Sequence, residues 1–220
     1  RLLPEDESAP VLVVGLGNRF ITPDSLGALT VDRTLVTRHM TGSDFFRSDL
    51  RSVCAVAPGV LGVTGVETLE MVRSLTESVR PGAVICIDSL SARSSARIGS
   101  TLQLTDTGIQ PGAGVGNARS GLDRQSMGVP VIAIGVPLVV YASTISRDTV
   151  GLIAGELGLM NNEESVKELA AKAISEKTGE LIVTPKEIDA LIGSMSAILS
   201  NAINMALFGA DHAELKSLIA

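Results

Sequence analysis

The stretch VLVVGLGNRFITPDSLG, residues 11–27, decides the fold class. Val11 to Val14 form an apolar, β-branched run that stops at Gly15, the signature of a buried strand. Gly15-Leu16-Gly17-Asn18 then turns the chain, since glycines allow sharp reversals and close backbone approach. Thr22-Pro23-Asp24-Ser25 delivers an acid to a predicted helix start. A dinucleotide-binding fingerprint would need its third glycine at position 20, which is Phe20, so that reading is set aside.

Four further runs repeat the pattern: Val53 to Ala57, Val84 to Asp88, Thr101 to Thr105 and Val131 to Gly135. Helix-like segments separate several of them. The alternation predicts a three-layer α/β/α protein with a mixed, mostly parallel sheet, organised as a single domain over residues 1–220. Thr64-Gly65-Val66-Glu67 has capping-box spacing ahead of Val66, Leu69, Val72, Leu75 and Val79. A charged amphipathic helix is predicted from Asn162 to Gly179, with Glu168 and Lys172 spaced to pair. Thr184-Pro185-Lys186-Glu187 predicts the start of a long packing helix, whose apolar stripe from Ile188 to Ala206 finishes at Gly209.

Composition narrows function. The chain has 220 residues, 45% hydrophobic but only 2% aromatic and without Trp, so a Trp-centred groove is excluded and the core is aliphatic. A net charge of -6 argues against nucleic-acid binding through bulk electrostatics. Every arginine lies at or before Arg147 and every lysine at or after Lys167. No uninterrupted apolar run reaches the roughly 20 residues of a membrane span, and no signal pattern opens the chain, so no membrane partner and a cytoplasmic location are expected. Cys54 and Cys86 sit in strand-like runs and read as buried, inert thiols.

In sheets of this kind ligands bind beyond the carboxyl ends of the strands, which directs attention to Asp24 and Asp88. Asp88 ends a strand and is either functional or a cap on the next segment. If the two acids share a crevice, repulsion and burial raise one pKa and leave an acid beside a base. Residues 105–117 form a long glycine-rich loop whose amides suit a carbonyl or oxyanion, with Asp106 either a third carboxylate or a turn cap. Serine catalysis lacks a G-x-S-x-G elbow, only His39 and His212 are present, and zinc-ligand spacing is absent.

Several strings, namely VVGLGNRFITPDSLG, LVTRHM, AVAPGVLGVTGVETLEMV, VICIDSLSARS, TLQLTDTGIQPGAGVGNARSGL, GVPVIAIGVPLVV and VTPKEIDALI, run in order from Val13 to Ile192 and resemble the germination protease family of atypical aspartic endopeptidases. The resemblance implies a phosphorylase/hydrolase-like fold shared with hydrogenase-maturation endopeptidases. It implies hydrolysis of small acid-soluble spore proteins during germination, in the spore core, by a protein made as a zymogen and assembled as a homo-oligomer, a tetramer in the family. It places the catalytic aspartates on Asp24 and Asp88 with neither metal nor other cofactor. Asn18, Arg93, Asp106, Gly114, Gly116 and Asn117 are the expected substrate-binding residues, and Arg19 and Arg119 are further candidates for orienting acidic substrate groups. The chain departs from the family pattern at Arg19, Gln110 and Tyr141, where Trp, His and Asp are usual. Its opening Arg1 and lack of the family's N-terminal region suit a fragment, a processed form or a minimal paralogue. Two other functions remain open on the sequence: an inactive paralogue acting as an oligomeric interaction protein, and a metal-dependent maturation endopeptidase.

Overall fold

The computed structural model describes residues 2–40, 50–111, 121–158, 163–209 and 212–219. Its strands are β1 (Val11–Gly15), β2 (Val53–Val56), β3 (Ala83–Ser91), β4 (Gln103–Thr105), β5 (Val131–Tyr141) and β6 (Ile182–Val183). The helices are α1 (Leu26–Val31), α2 (Leu61–Thr64), α3 (Thr68–Val79), α4 (Arg124–Met127), α5 (Ala142–Glu156), α6 (Glu163–Thr178), α7 (Ile188–Phe208) and α8 (His212–Ile219), with short 3-10 turns at Thr22–Asp24 and Ser95–Arg97. The strand order is β2-β1-β3-β5-β4, and β6 pairs with β5. β1 runs parallel to both β2 and β3, whereas β4 and β6 are antiparallel to β5. The mixed, helix-flanked sheet expected from the strand–helix alternation is therefore present.

The described residues group into two compact units. One comprises Arg1–Ser89, Gln103–Gly135 and Asp189–Ala220, and the other Leu90–Leu102 and Val136–Ile188.

In the first unit β1 is the central parallel strand, buried throughout because both sheet faces are covered. Leu12, Val14, Val84 and Cys86 point to one face, where Val72 of α3 and Met127 of α4 pack on them. The capping-box reading of Thr64 does not hold. Thr64 ends α2, Gly65 takes the left-handed conformation that closes it, and α3 starts at Thr68 behind Glu67. The Thr64 hydroxyl instead bonds Val60 and Val66 within this turn.

α7 begins at Ile188, after a turn at Lys186 and Glu187, slightly later than the Thr-Pro signal suggests. Among the described residues it is the one helix long and apolar enough to cross a membrane, with mean hydropathy 1.5. Its inward stripe, however, is Ile188, Ile192, Ser196, Leu199, Ser200, Ile203, Asn204 and Leu207, all buried and including three polar residues. Those side chains serve the segment after α1. Arg33 donates to Ser196 Oγ at 2.8 Å, the Leu35 N–H donates to Asn204 Oδ1 at 3.0 Å, and Asn204 Nδ2 donates to the Arg33 carbonyl at 3.3 Å. The helix thus clamps the exit of α1 and satisfies backbone groups that burial would otherwise leave unpaired.

In the second unit β5 continues past Gly135 and Pro137, where the sequence suggests a stop. Pro137 lacks an N–H, but its carbonyl accepts from Gly99 at 2.7 Å and Val139 accepts from Ala92 at 2.7 Å. The sequence carries little helix signal for α5, since Ile145, Thr149 and Val150 are weak helix formers. It forms against α6: Ser146 Oγ donates to the Ala170 carbonyl at 3.4 Å, and Arg147 pairs with Glu164. On α6, Lys172 pairs at 3.8 Å with Glu176, one turn after it, whereas the expected partner Glu168 lies one turn before it.

Replacing Asn204 by Ala strands the buried Leu35 N–H and removes a bond to Arg33. The expected loss is about 2–4 kcal/mol of unfolding free energy in urea titrations, since each orphaned buried group costs roughly 1–3 kcal/mol. Met205→Ala, on the exposed face of the same helix, is expected to stay within about 0.5 kcal/mol of the parent chain.

Candidate active site

The site is built on backbone contact between β1, α1 and β3. Leu16 N–H donates to the Ile87 carbonyl at 2.8 Å, so the chain leaving β1 stays bonded to β3 for one more residue. α1 folds back onto this junction with no side chain between. A Cβ on Gly27 would lie 2.4 Å and 2.5 Å from the Leu16 O and N and 2.6 Å from the Ile87 carbonyl oxygen, and one on Gly15 would lie 2.2 Å from the Gly27 oxygen. Only glycine fits either position.

Between β1 and α1 the chain reverses at Gly17, whose φ of +92° suits glycine and whose Cβ would lie 2.1 Å from the Asp24 carbonyl oxygen. Successive turns follow. Ile21 N–H donates to the Asn18 carbonyl at 3.1 Å, Asp24 N–H to Ile21 at 2.8 Å and Ser25 N–H to Thr22 at 3.1 Å. Pro23 enters the short 3-10 turn at Thr22–Asp24, where its missing N–H costs nothing. The turn holds the half-buried Asp24 with its Oδ2 accepting the Asn18 N–H at 2.7 Å.

Asp88 lies on β3, one residue beyond the Ile87 carbonyl that grips Leu16, and is 4% exposed; the strand does not stop at this acid, where the sequence suggests an end, but runs on to Ser91. Its Oδ1 accepts the Ser89 N–H at 2.8 Å. Burial, and then the negative charge of Asp24, push its pKa up to about 8, against the lowering effect of that one bond. Asp24 is also raised by burial, while the Asn18 N–H stabilises its ionised form. The pair therefore releases its protons in order. Asp24 ionises first beside a neutral neighbour, and only Asp88 must ionise against an existing charge. Near neutral pH the site holds a carboxylate beside a carboxylic acid, a proton acceptor and a proton donor. Cys86, on the same face of β3, is held as a thiol, with its pKa at about 12 from burial and the Asp88 charge. Among the described residues no group of three or more His, Cys, Asp or Glu side chains converges as a metal site would require.

The other residues singled out by sequence are distributed as follows. Asn18 joins the pair through its backbone, while its side-chain oxygen accepts the Phe20 N–H at 3.0 Å. Arg19 is engaged with Asp32 at 3.3 Å. Asp106 is exposed in the turn after β4, where the Thr107 N–H bonds Thr105 Oγ1 at 3.1 Å. Arg93 is exposed and belongs to the second unit. Gly114, Gly116, Asn117 and Arg119 lie outside the described residues. Sequence reading missed the part played by Gly27. Its only signal was a glycine near the start of a predicted helix, where helix propensity disfavours one.

The sequence matches the family model described as germination protease over residues 3–178. It is 45% identical over 220 residues to the germination protease of Clostridium perfringens strain SM101, covering 93% of this chain and 67% of that protein. The germination protease of Bacillus subtilis strain 168 is 38% identical over 246 residues, covering 91% and 67% respectively. The chain spans about two thirds of the length of these curated relatives. Among solved structures, the [NiFe] hydrogenase maturation protease HycI from Thermococcus kodakarensis KOD1 aligns with a TM-score of 0.40 and 13% identity, over 90% of this chain and 93% of that one.

The electrostatics carry a stability consequence with a definite sign. Between the ordinary aspartate value of 3.8 and about 8, the folded chain keeps a proton on Asp88 that the unfolded chain releases. This contribution is complete below the lower value and is lost as pH rises through the upper one, at up to about 1.4 kcal/mol per pH unit. Unfolding measured from pH 4 to pH 8 is therefore expected to show Asp88→Asn gaining steadily on the parent chain, and parallel curves would contradict the buried, raised acid.

Proposed function

The chain belongs to the germination protease family, and from that premise we propose that it is an endopeptidase in which Asp24 and Asp88 work as a base and an acid on a water molecule. The observation that carries the reading is the pairing of a buried, proton-retaining Asp88 with a more accessible Asp24 held by the Asn18 N–H. Asp24 takes a proton from water as the water oxygen adds to the scissile carbonyl carbon. Asp88 supplies its proton to the departing nitrogen as the C–N bond breaks. Transfer of the proton from Asp24 to Asp88 then restores the starting state.

The rigid turn supports this division of labour. Asp24 is fixed by a backbone donor on one oxygen and keeps its other oxygen for water. Asp88 is the better proton store because its environment favours the neutral form. The glycine-rich loop around Gly114, Gly116 and Asn117 has the composition to supply amide donors to the oxyanion.

On this reading the substrates are small acid-soluble spore proteins, degraded in the spore core by a homo-oligomer of the chain. The family resemblance supports that assignment. Light scattering on the purified chain tests the assembly separately from the chemistry.

The test is incubation of purified chain with a small acid-soluble spore protein and identification of fragments by mass spectrometry. Discrete cleavage is expected, falling by roughly 10²-fold or more in both Asp24→Asn and Asp88→Asn, the scale of general acid–base contributions. Full activity in either variant would remove that residue from the mechanism. The pH profile has a predicted shape: kcat/KM falls about tenfold per unit above the Asp88 value of about 8, and an acid limb lies above the ordinary aspartate pKa of 3.8.

A further inference from the structure

Phe20 and Ile21 occupy the turn that carries Asp24, and they are 78% and 52% exposed. Turns of this kind favour Gly, Pro, Asn, Asp and Ser, so two adjacent large apolar residues there are out of character. Isolated exposed apolar residues are common on protein surfaces. This pair is distinguished by adjacency, by rigidity and by its distance from a reactive carboxylate. The chain contains only four Phe and one Tyr, and this Phe contributes little to any core.

The backbone under the pair is pinned at several points. Asn18 Oδ1 accepts the Phe20 N–H at 3.0 Å, and the Asn18 carbonyl accepts the Ile21 N–H at 3.1 Å. Just before them, Arg19 is tied to Asp32 at 3.3 Å. Just after them, the Ile21 carbonyl accepts the Asp24 N–H at 2.8 Å. A turn closed by that last bond keeps the Cα atoms of Ile21 and Asp24 within about 7 Å. An extended peptide advances roughly 3.3 Å per residue. A substrate with its scissile amide at Asp24 and its chain running across this turn would meet Ile21 and Phe20 about two or three residues away.

We propose that Phe20, backed by Ile21, is a specificity-determining residue that docks an apolar side chain of the substrate two or three residues from the scissile bond. The inference rests on the endopeptidase reading of Asp24 and Asp88 and adds the substrate chemistry that this turn selects. A side chain such as Leu, Ile, Val or Met covers the ring and loses its own contact with water. The aromatic ring has few rotamers to freeze and sits on an already ordered backbone, so little ordering cost offsets the contact.

The experiment compares the parent chain with Phe20→Ala and Phe20→Leu on substrate peptides in which each apolar residue within three positions of the cleaved bond is changed to Ser in turn. Phe20→Ala is expected to raise KM for the parent peptide about tenfold or more, the scale of losing one apolar pocket contact. Its kcat and pH profile should stay within about twofold, and Phe20→Leu should recover most of the loss. One of the Ser-substituted peptides should be insensitive to the Phe20 change, which identifies the docked position. In parallel, fluorescence anisotropy of a labelled peptide is measured on Asp88→Asn and on Asp88→Asn combined with Phe20→Ala, with about tenfold weaker binding expected in the double variant. Cleavage with KM and binding indifferent to Phe20 overturns this inference and leaves the endopeptidase reading standing. Absence of cleavage with Phe20-dependent binding overturns the endopeptidase reading and keeps the docking role. Absence of both cleavage and binding overturns both.

Discussion

The site depends on three stretches of main chain touching without side chains between them. β1 and β3 stay bonded through Leu16 and Ile87, and α1 rests on that junction through Gly27. Any Cβ at Gly15 or Gly27 would collide with main-chain atoms, which cannot swing aside as a side chain can. This close approach leaves so little room that the connection from Gly17 to Asp24 must coil into consecutive tight turns. Asp24 is consequently delivered beside the stretch of β3 that carries Asp88, three residues before the strand ends at Ser91.

Placing two carboxylates beside one another, one of them buried, sets stability against chemistry. A buried acid that stays protonated up to about pH 8 lowers the stability of the folded chain wherever the unfolded chain would release that proton. The fold sustains this because the surrounding β1 and β3 residues are a packed aliphatic layer. The same burial that raises Asp88 keeps the Cys86 thiol protonated. One environment thus leaves a sulfur inert and makes a carboxyl group a proton store.

Support for this arrangement comes from a helix that hydropathy alone would misjudge. α7 is apolar enough to suggest a membrane span, yet Ser196 and Asn204 are turned inward and bonded to Arg33 and Leu35. These bonds hold the segment that follows α1, and so restrain the helix that begins directly after the Asp24 turn. An apolar helix with a buried polar stripe is a clamp for main-chain groups as well as a filler of core volume.

Local pattern made much of this legible. The β1 run and its stop at Gly15, the onset of the other main strands, and the long stripe of α7 follow from apolar periodicity and from glycine and proline punctuation. The apolar run leading into Asp88 and the turn before α1 singled out both aspartates, although β3 continues past Asp88 to Ser91, and the family resemblance assigned their chemistry. Other features depended on partners distant in sequence. β5 runs through Pro137 because Gly99 and Ala92 supply donors to that stretch, and α5 forms because α6 covers it. The pairing of Arg19 with Asp32 and the exposed turn position of Asp106 are likewise set by the fold and not by residue type. The sequence by itself determined which residues can ionise and where the strands begin, because both are properties of side chains and their immediate neighbours. Tertiary structure decided that Asp88 keeps its proton beside an ionised Asp24, because burial and charge proximity exist only after segments some 60 residues apart have been brought together.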